Sequence, residues 1–261
     1  MDLHLSGRTY VVTGGSSGVG LATVAELLAE GANVATCARD ADRLAAAISD
    51  VAPDTGERVL AVAADVRSRT DVDALISGAV DRFGGLDGLV NNAGGSRMAP
   101  LWETSMDDWH DEFDLKFAGV LNTIDAAREH LGRSDAASIV NINAVLARQP
   151  ETRLIATSAA RAGLLNLSKS LSFELAPRVR VNSVLLGLID TGQWQRRYAA
   201  SEDPRPFAEW EHDIVTDRGV ALGRFGRADE VAGIVAMLLS PRSSYVTGTT
   251  VEVAGGVSRY V

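Results

Sequence analysis

Residues Arg8 to Gly31 read RTYVVTGGSSGVGLATVAELLAEG. A continuous apolar run, Tyr10 to Val12, stops in a glycine-rich turn, TGGSSGVG (Thr13 to Gly20), and an amphipathic pattern follows. Apolar runs without polar alternation are those of parallel strands covered on both faces. Leu21, Val24, Ala25 and Leu28 fall on one face of the helix that the pattern predicts, and Gly31 is placed as its C′ glycine. Gly14, Gly18 and Gly20 lack a Cβ, so the backbone can turn sharply and approach a pyrophosphate, with the positive end of the helix behind it. In this strand–turn–helix context the loop reads as a phosphate cradle. A tight turn packed on the sheet is the plainer alternative. Ser16 and Ser17 read as loop formers rather than nucleophiles.

Six further runs repeat the pattern: ANVATCA from Ala32, RVLAVAAD from Arg58, LDGLVNNAG from Leu86, ASIVNINA from Ala137, RVRVNSVLLG from Arg178 and TTVEVAGG from Thr249. Helical patterns separate them. Strands alternating with crossover helices predict one α/β domain, residues 1–261, built on a doubly wound parallel sheet of about seven strands. No internal repeat, low-complexity tract or linker interrupts it. The one irregular segment is 190–219, rich in charge and aromatics and carrying Pro204 and Pro206. It leaves the carboxyl end of a strand, where the ligand crevice of such a sheet lies, so it reads as a substrate lid.

The composition agrees. The 261 residues are 46% apolar and 23% charged, with mean hydropathy near zero and 25 Gly against 7 Pro. A net charge of −9 leaves no broad electrostatic footprint for nucleic acid. The single cysteine, Cys37, excludes an internal disulfide and fits a reducing compartment. No basic-then-apolar leader opens the chain, and no apolar run approaches the ~18 residues of a membrane span. A cytoplasmic protein with no membrane or nucleic-acid partner is expected, and no metal-ligand pattern stands out.

The end of the second strand reports on the cofactor ribose. An acid there would accept the ribose hydroxyls and repel a 2′-phosphate. This chain has Ala38 followed by Arg39. A guanidinium can pair with a phosphate in a bidentate manner, so NADP(H) is favoured over NAD(H); a solvated loop arginine is the alternative. Asp65, ending the third strand, is placed to touch the adenine edge.

Taken together, these motifs resemble the classical short-chain dehydrogenase/reductase family from end to end. The likeness covers the glycine motif, the NNAG motif at Asn91 to Gly94, RVRVNSVLLGLIDT from Arg178 to Thr191, and the C-terminal segment from Leu222. It implies a Rossmann-like fold, a nicotinamide cofactor and a homotetramer or homodimer, the tetramer built through two long helices and the C-terminal region. It places Gly14, Ser16, Ser17, Gly18, Val19 and Gly20 on the phosphates. Arg39, Asp65 and Val66 fall on the adenosine half. Asn92, Ala93, Gly94, Arg161, Gly187, Ile189 and Thr191 fall beside the rest of the cofactor.

The catalytic end departs from the family. Its chemistry uses a tyrosine as proton donor, a lysine one helical turn later, a serine thirteen residues before the tyrosine, and an asparagine in the helix after NNAG. In LIATSAARAGLLNLSKSL (Leu154 to Leu171) the tyrosine position holds Thr157 and the lysine position Arg161. The serine position holds Ala144 and the asparagine position Lys116. No other register restores the pair: the four tyrosines are Tyr10, Tyr198, Tyr245 and Tyr260, and the only lysines are Lys116 and Lys169. Thr157 is a poor proton source, and Arg161 keeps a charge that could hold ribose hydroxyls but cannot relay a proton. Losing a general acid costs about 10²–10⁴ in rate, so useful carbonyl reduction needs a replacement.

Asn143 could orient a carbonyl, or serve only as a strand-end amide. Lys116 could relay a proton if burial lowers its pKa, or it could face solvent. Glu151, Arg153, Tyr198, Glu209, His212 and Asp213 are further candidates, and Trp102, Trp109, Trp194 and Trp210 could line a pocket or simply pack. The reading adopted is an NADP(H)-dependent oxidoreductase acting on a small carbonyl or alcohol with a non-standard proton donor. A lyase or isomerase on the same fold, or an inactive cofactor-binding or partner subunit, are the alternatives.

Overall fold

The computed structural model describes residues 1–53, 56–201 and 203–260; Glu202, inside the anticipated lid, lies outside them. Seven parallel strands form one sheet in the order β3-β2-β1-β4-β5-β6-β7. They are β1 (Thr9–Thr13), β2 (Asn33–Ala38), β3 (Val59–Ala63), β4 (Gly88–Asn91), β5 (Ser138–Ala144), β6 (Arg180–Leu186) and β7 (Thr250–Val253). All seven coincide with the apolar runs. The helices are α1 (Gly18–Ala29), α2 (Ala41–Val51), α3 (Arg69–Phe83), α4 (Met106–Phe113), α5 (Gly119–Leu131), α6 (Ile155–Glu174), α7 (Gly192–Ser201), α8 (Phe207–Arg218) and α9 (Ala228–Leu239).

Two cores explain why the strands read as unbroken apolar runs. Side chains alternate across a strand, so Tyr10 and Val12 of β1 enter one core while Val11 enters the other. The first core packs α1, α2 and α9 on one face of the sheet. The second packs α3, α5 and α6 on the opposite face. The buried face of α1 is centred on Thr23, Val24, Leu27 and Leu28 rather than on Leu21 and Ala25, which are only half-buried. The face is rotated because α1 also packs against α9, so its inner surface answers two neighbours. Gly31 follows the helix at φ +82°, as its C′ position requires.

Strand order reverses between β1 and β4, and the crevice opens at the carboxyl ends there. Two features shape it. Segment 190–219 folds as α7 and α8, joined to the β6 end through a third apolar cluster of Leu185, Val215, Phe225, Trp194 and Phe207. Between α4 and α5 the chain makes a π turn over Asp114–Ala118, an irregularity frequent at functional sites. Among the described residues, no helix is long and apolar enough to cross a membrane.

Candidate functional site

A cleft of about 960 Å³ runs along the carboxyl ends of the strands, from the glycine loop to the α7–α8 segment. At one end Gly14 sits at φ +75°, and a Cβ there would come within 2.9 Å of the Ala93 Cα. The close approach is held from the other side. Asn92 Nδ2 donates to the carbonyls of Thr13 (2.9 Å) and Gly14 (3.2 Å), and the Asn92 and Ala93 N–H groups both donate to Thr13 Oγ1 at 3.0 Å. Asn91 continues inward, donating to Asn141 Oδ1 while accepting from Thr123. The NNAG motif therefore buckles β4 to the glycine loop.

Ser17 is the N-cap of α1, yet its side chain makes no capping hydrogen bond, and no acidic residue occupies the first turn. The N-terminal donors of α1 thus face the cleft without an internal acceptor, beside Ser16, Gly18 and Val19. Thr191 closes the opposite side, its Cγ2 within 3.1 Å of a Cβ built on Gly18. Gly187 and Ile189 line the same wall. Gly187 has a second reason to be glycine: a Cβ would meet the Ala254 backbone at 2.7 Å.

At the adenosine end Arg39 is exposed at the cleft rim and makes no ion pair among the described residues. Asp40 does not take its place as a ribose acceptor; its carboxylate caps α2 by accepting from the Arg43 N–H at 3.0 Å. That cap turns Arg43, one helical turn after Arg39, toward the cleft. The sequence reading omitted it, though an arginine at that spacing was a visible signal. Asp65 is held differently from the expectation of a free adenine contact. Arg67 clamps it through Nε and Nη2, and the hydrogen bond from that side chain holds its carboxyl below the usual range. Val66 is buried in the second core while still reaching the cleft.

At the other end the four candidate catalytic positions separate. Thr157 is fully buried, its hydroxyl has no partner, and it does not line the cleft. Asn143 is committed on both sides: its Nδ2 donates to the Arg161 carbonyl at 3.0 Å and its Oδ1 accepts from the Ala144 N–H at 2.9 Å. It pins α6 to β5 rather than presenting an amide to a ligand. Arg161 does line the cleft, and its Nε is buried without a partner. Burial lowers its pKa, with Glu112 opposing.

Lys116 gives the clearest departure from a solvent-facing helix lysine. It is 4% exposed on the π turn, and its Nζ donates to Glu112 Oε2 at 2.5 Å and to the Gly95 carbonyl at 3.1 Å. Glu112 Oε1 accepts from the Arg97 N–H at 2.8 Å, which fixes the carboxylate. Burial pushes the Lys116 pKa down, the nearby Arg161 pushes it the same way, and Glu112 opposes both. The sequence reading missed Glu112, whose i,i+4 spacing to Lys116 was its only signal.

The remaining candidates scatter. Trp194 lines the cleft, but Trp102 is 93% exposed, and Trp109 and Trp210 do not reach it. Glu151 lines the cleft and is ion-paired to Arg218. Arg153, Glu209 and His212 are exposed and away from it. Tyr198 donates to the Arg205 carbonyl and Asp213 pairs with Arg205, so both serve the lid itself.

Residues 14–258 match the family model described as enoyl-(acyl carrier protein) reductase. The chain is 34% identical to a 3beta-hydroxysteroid dehydrogenase of Eggerthella lenta over 98% of its own length and 95% of that protein's. The chain belongs to the short-chain dehydrogenase/reductase family. Among solved structures it resembles the NADPH-bound short-chain oxidoreductase of Pseudomonas aeruginosa PAO1 described as containing an atypical catalytic center. The two are 43% identical with a TM-score of 0.93, over 98% of this chain and 99% of that one. It also resembles L-sorbose reductase of Gluconobacter frateurii, solved with NADPH and L-sorbose. There the identity is 29% and the TM-score 0.95 over 100% of both chains. An oxidoreductase of this family, on a Rossmann-like sheet, is what the chain is.

Proposed function

We propose that this protein is an NADP(H)-dependent oxidoreductase of small carbonyl or alcohol substrates in which Lys116 replaces the family's tyrosine as proton donor. The observation that carries the reading is the buried Glu112–Lys116 pair at the cleft, beside Arg161. The cofactor end fits a nicotinamide dinucleotide: uncapped α1 donors, a Gly14 cradle that a Cβ would fill, and an unpaired Arg39. Two relatives solved with NADPH support the choice, one of them described as having an atypical catalytic center.

In this reading Gly14 to Gly20 and the α1 N-terminus receive the pyrophosphate, and Arg39 with Arg43 pairs the 2′-phosphate. Asn92, Ala93, Gly94, Gly187, Ile189 and Thr191 wall the remainder, and Arg161 directs its free donors into the site. A bound nicotinamide supplies or accepts the hydride. Lys116, as an ammonium, gives a proton to the substrate oxygen, and its lowered pKa eases that transfer. Glu112 keeps the ammonium oriented, and Arg161 stabilises negative charge developing on the oxygen. Thr157 and Asn143 support the helix and strand around the site.

Titration with NADPH and NADH, followed by nicotinamide fluorescence, tests the cofactor assignment: tight NADPH binding that NADH does not match is expected. No binding of either would sink the redox reading. We also infer a homo-oligomer, the state that the family resemblance implies; Trp102 and Met106 around the start of α4, and Phe173 near the end of α6, are exposed apolar side chains that an interface could cover. Sedimentation showing only monomer would overturn that.

A further inference from the structure

We propose that the reducible substrate is a small oxo acid, its carboxylate received by Arg197 of α7 while its carbonyl lies toward Lys116 and Arg161. This rests on the redox reading above and adds the substrate class. Nine arginine and lysine side chains line the cleft against six carboxylates, in a chain whose net charge is −9.

Each of those carboxylates is already engaged. Glu112 holds Lys116, Asp108 faces Arg97, Glu151 pairs with Arg218, Arg67 takes Asp65 and Asp111, and Asp40 caps α2. At the substrate end this leaves Arg161, Arg196 and Arg197 without an acidic partner among the described residues. Arg161 is set beside Lys116, and of the two arginines on α7 Arg196 is exposed while Arg197 is half-buried and positioned. Its guanidinium stacks over the Trp194 ring at 4.6 Å, and Trp194 is braced by Phe225 and Trp210 at 4.8 and 6.1 Å. A stacked guanidinium leaves its edge donors free for a planar, bidentate acceptor.

An uncharged ligand would leave that partly desolvated charge unmatched, a costly arrangement. Positive charge focused in a cleft of an otherwise acidic protein also draws anions toward it. Burial and the neighbouring Arg218 act together to lower the Arg197 pKa, while Glu151 alone opposes them, as expected where cations outnumber acids. In the reaction the substrate's C=O π bond breaks. Its carbon gains a hydride from the reduced nicotinamide and its oxygen a proton, giving a hydroxy acid and the oxidised cofactor.

The test uses the full chain and tryptophan fluorescence. Pyruvate, acetoacetate and levulinate, whose carbonyls stand progressively farther from the carboxylate, are titrated beside their methyl esters and dihydroxyacetone phosphate. At least one acid should bind about tenfold or more tightly than its ester, the worth of a charge-assisted pair. It should also be the better substrate with NADPH. Arg197→Gln should erase that difference while leaving ester and NADPH affinities unchanged, and Arg197→Lys should restore part of it. Equal acid and ester binding, an unaffected Arg197→Gln, or no acid binding while NADPH binds would overturn the proposal. Preference for dihydroxyacetone phosphate over every acid would overturn the carboxylate assignment. Failure of NADPH itself to bind falls on the redox reading, and the acid–ester comparison is still read without it.

Discussion

Replacing Lys116 by methionine separates its structural role from its chemical one. In the wild type the ammonium is 4% exposed and neutralises Glu112 at 2.5 Å. Lys116→Met keeps the volume but strands a buried carboxylate. Breaking a buried pair from one side costs about 3–5 kcal/mol. For a chain of this size each kcal/mol moves Tm by roughly 2–4 °C, so a fall of roughly 10 °C is expected in calorimetry. The double variant Glu112→Gln/Lys116→Met removes both charges. The glutamine oxygen can still accept the Arg97 N–H that Glu112 accepts now. Removing both members of a buried pair is often near neutral, so the double variant should recover most of the lost Tm.

Activity should not follow stability. Both variants lack the proposed proton donor and should lose about 10²–10⁴ in turnover, measured as loss of reduced-nicotinamide absorbance, with NADPH affinity kept. Two results would refute the reasoning: a single variant as stable as the double, which denies the buried pair, or a double variant with wild-type turnover, which denies Lys116 the proton.

Other expectations follow from the same geometry. The rate of carbonyl reduction should fall as pH rises through the Lys116 pKa, which lies below its ordinary 10.5, and alcohol oxidation should rise over the same span. The sign for stability follows from that lowering, because burial and Arg161 outweigh the pairing with Glu112, whose hydrogen bond the neutral amine can still donate. The folded state binds this proton less readily than the unfolded one, so the penalty of burying the ammonium stands at low pH and is relieved as pH climbs toward 10.5; denaturant titrations across pH, with Lys116→Met as reference, check it. Arg39→Gln and Arg43→Gln should each weaken NADPH binding about 10–100-fold and leave NADH binding unchanged in parallel titrations. Gly20→Ala would drive a Cβ into the Gly14 carbonyl oxygen and Asn92 Nδ2. It should cost about 1–3 kcal/mol and weaken both cofactors alike.

The fold was legible because it is written in local patterns. Seven apolar runs became seven parallel strands, and the glycine spacing stood where the strand-to-helix turn needed room. What local pattern could not supply was the neighbour across the sheet. The buried face of α1 shifted because α9, some 200 residues on, packs against it. Asn143 lies near the end of β5 and Asp65 two residues past β3, but Asp65 is engaged by Arg67, and Asn143 by the backbone of Ala144 and Arg161. A strand-end polar residue announces position, not availability.

The same distinction governs the catalytic end. Aligning positions put Thr157 where a tyrosine hydroxyl would sit, yet a threonine is too short to leave the helix surface, and here its oxygen ends sealed and unpartnered. Lys116, by contrast, occupies a position that in the family carries a short amide, and its longer side chain reaches a carboxylate one turn away. A fixed cation stays at Arg161, the position of the family's lysine, and the titratable Lys116 stands beside it on the π turn between α4 and α5. A four-residue motif can be erased at every position and the ingredients of its chemistry, one fixed cation and one movable proton, still stand in the same cleft. That is why loss of the motif does not by itself argue for an inert protein.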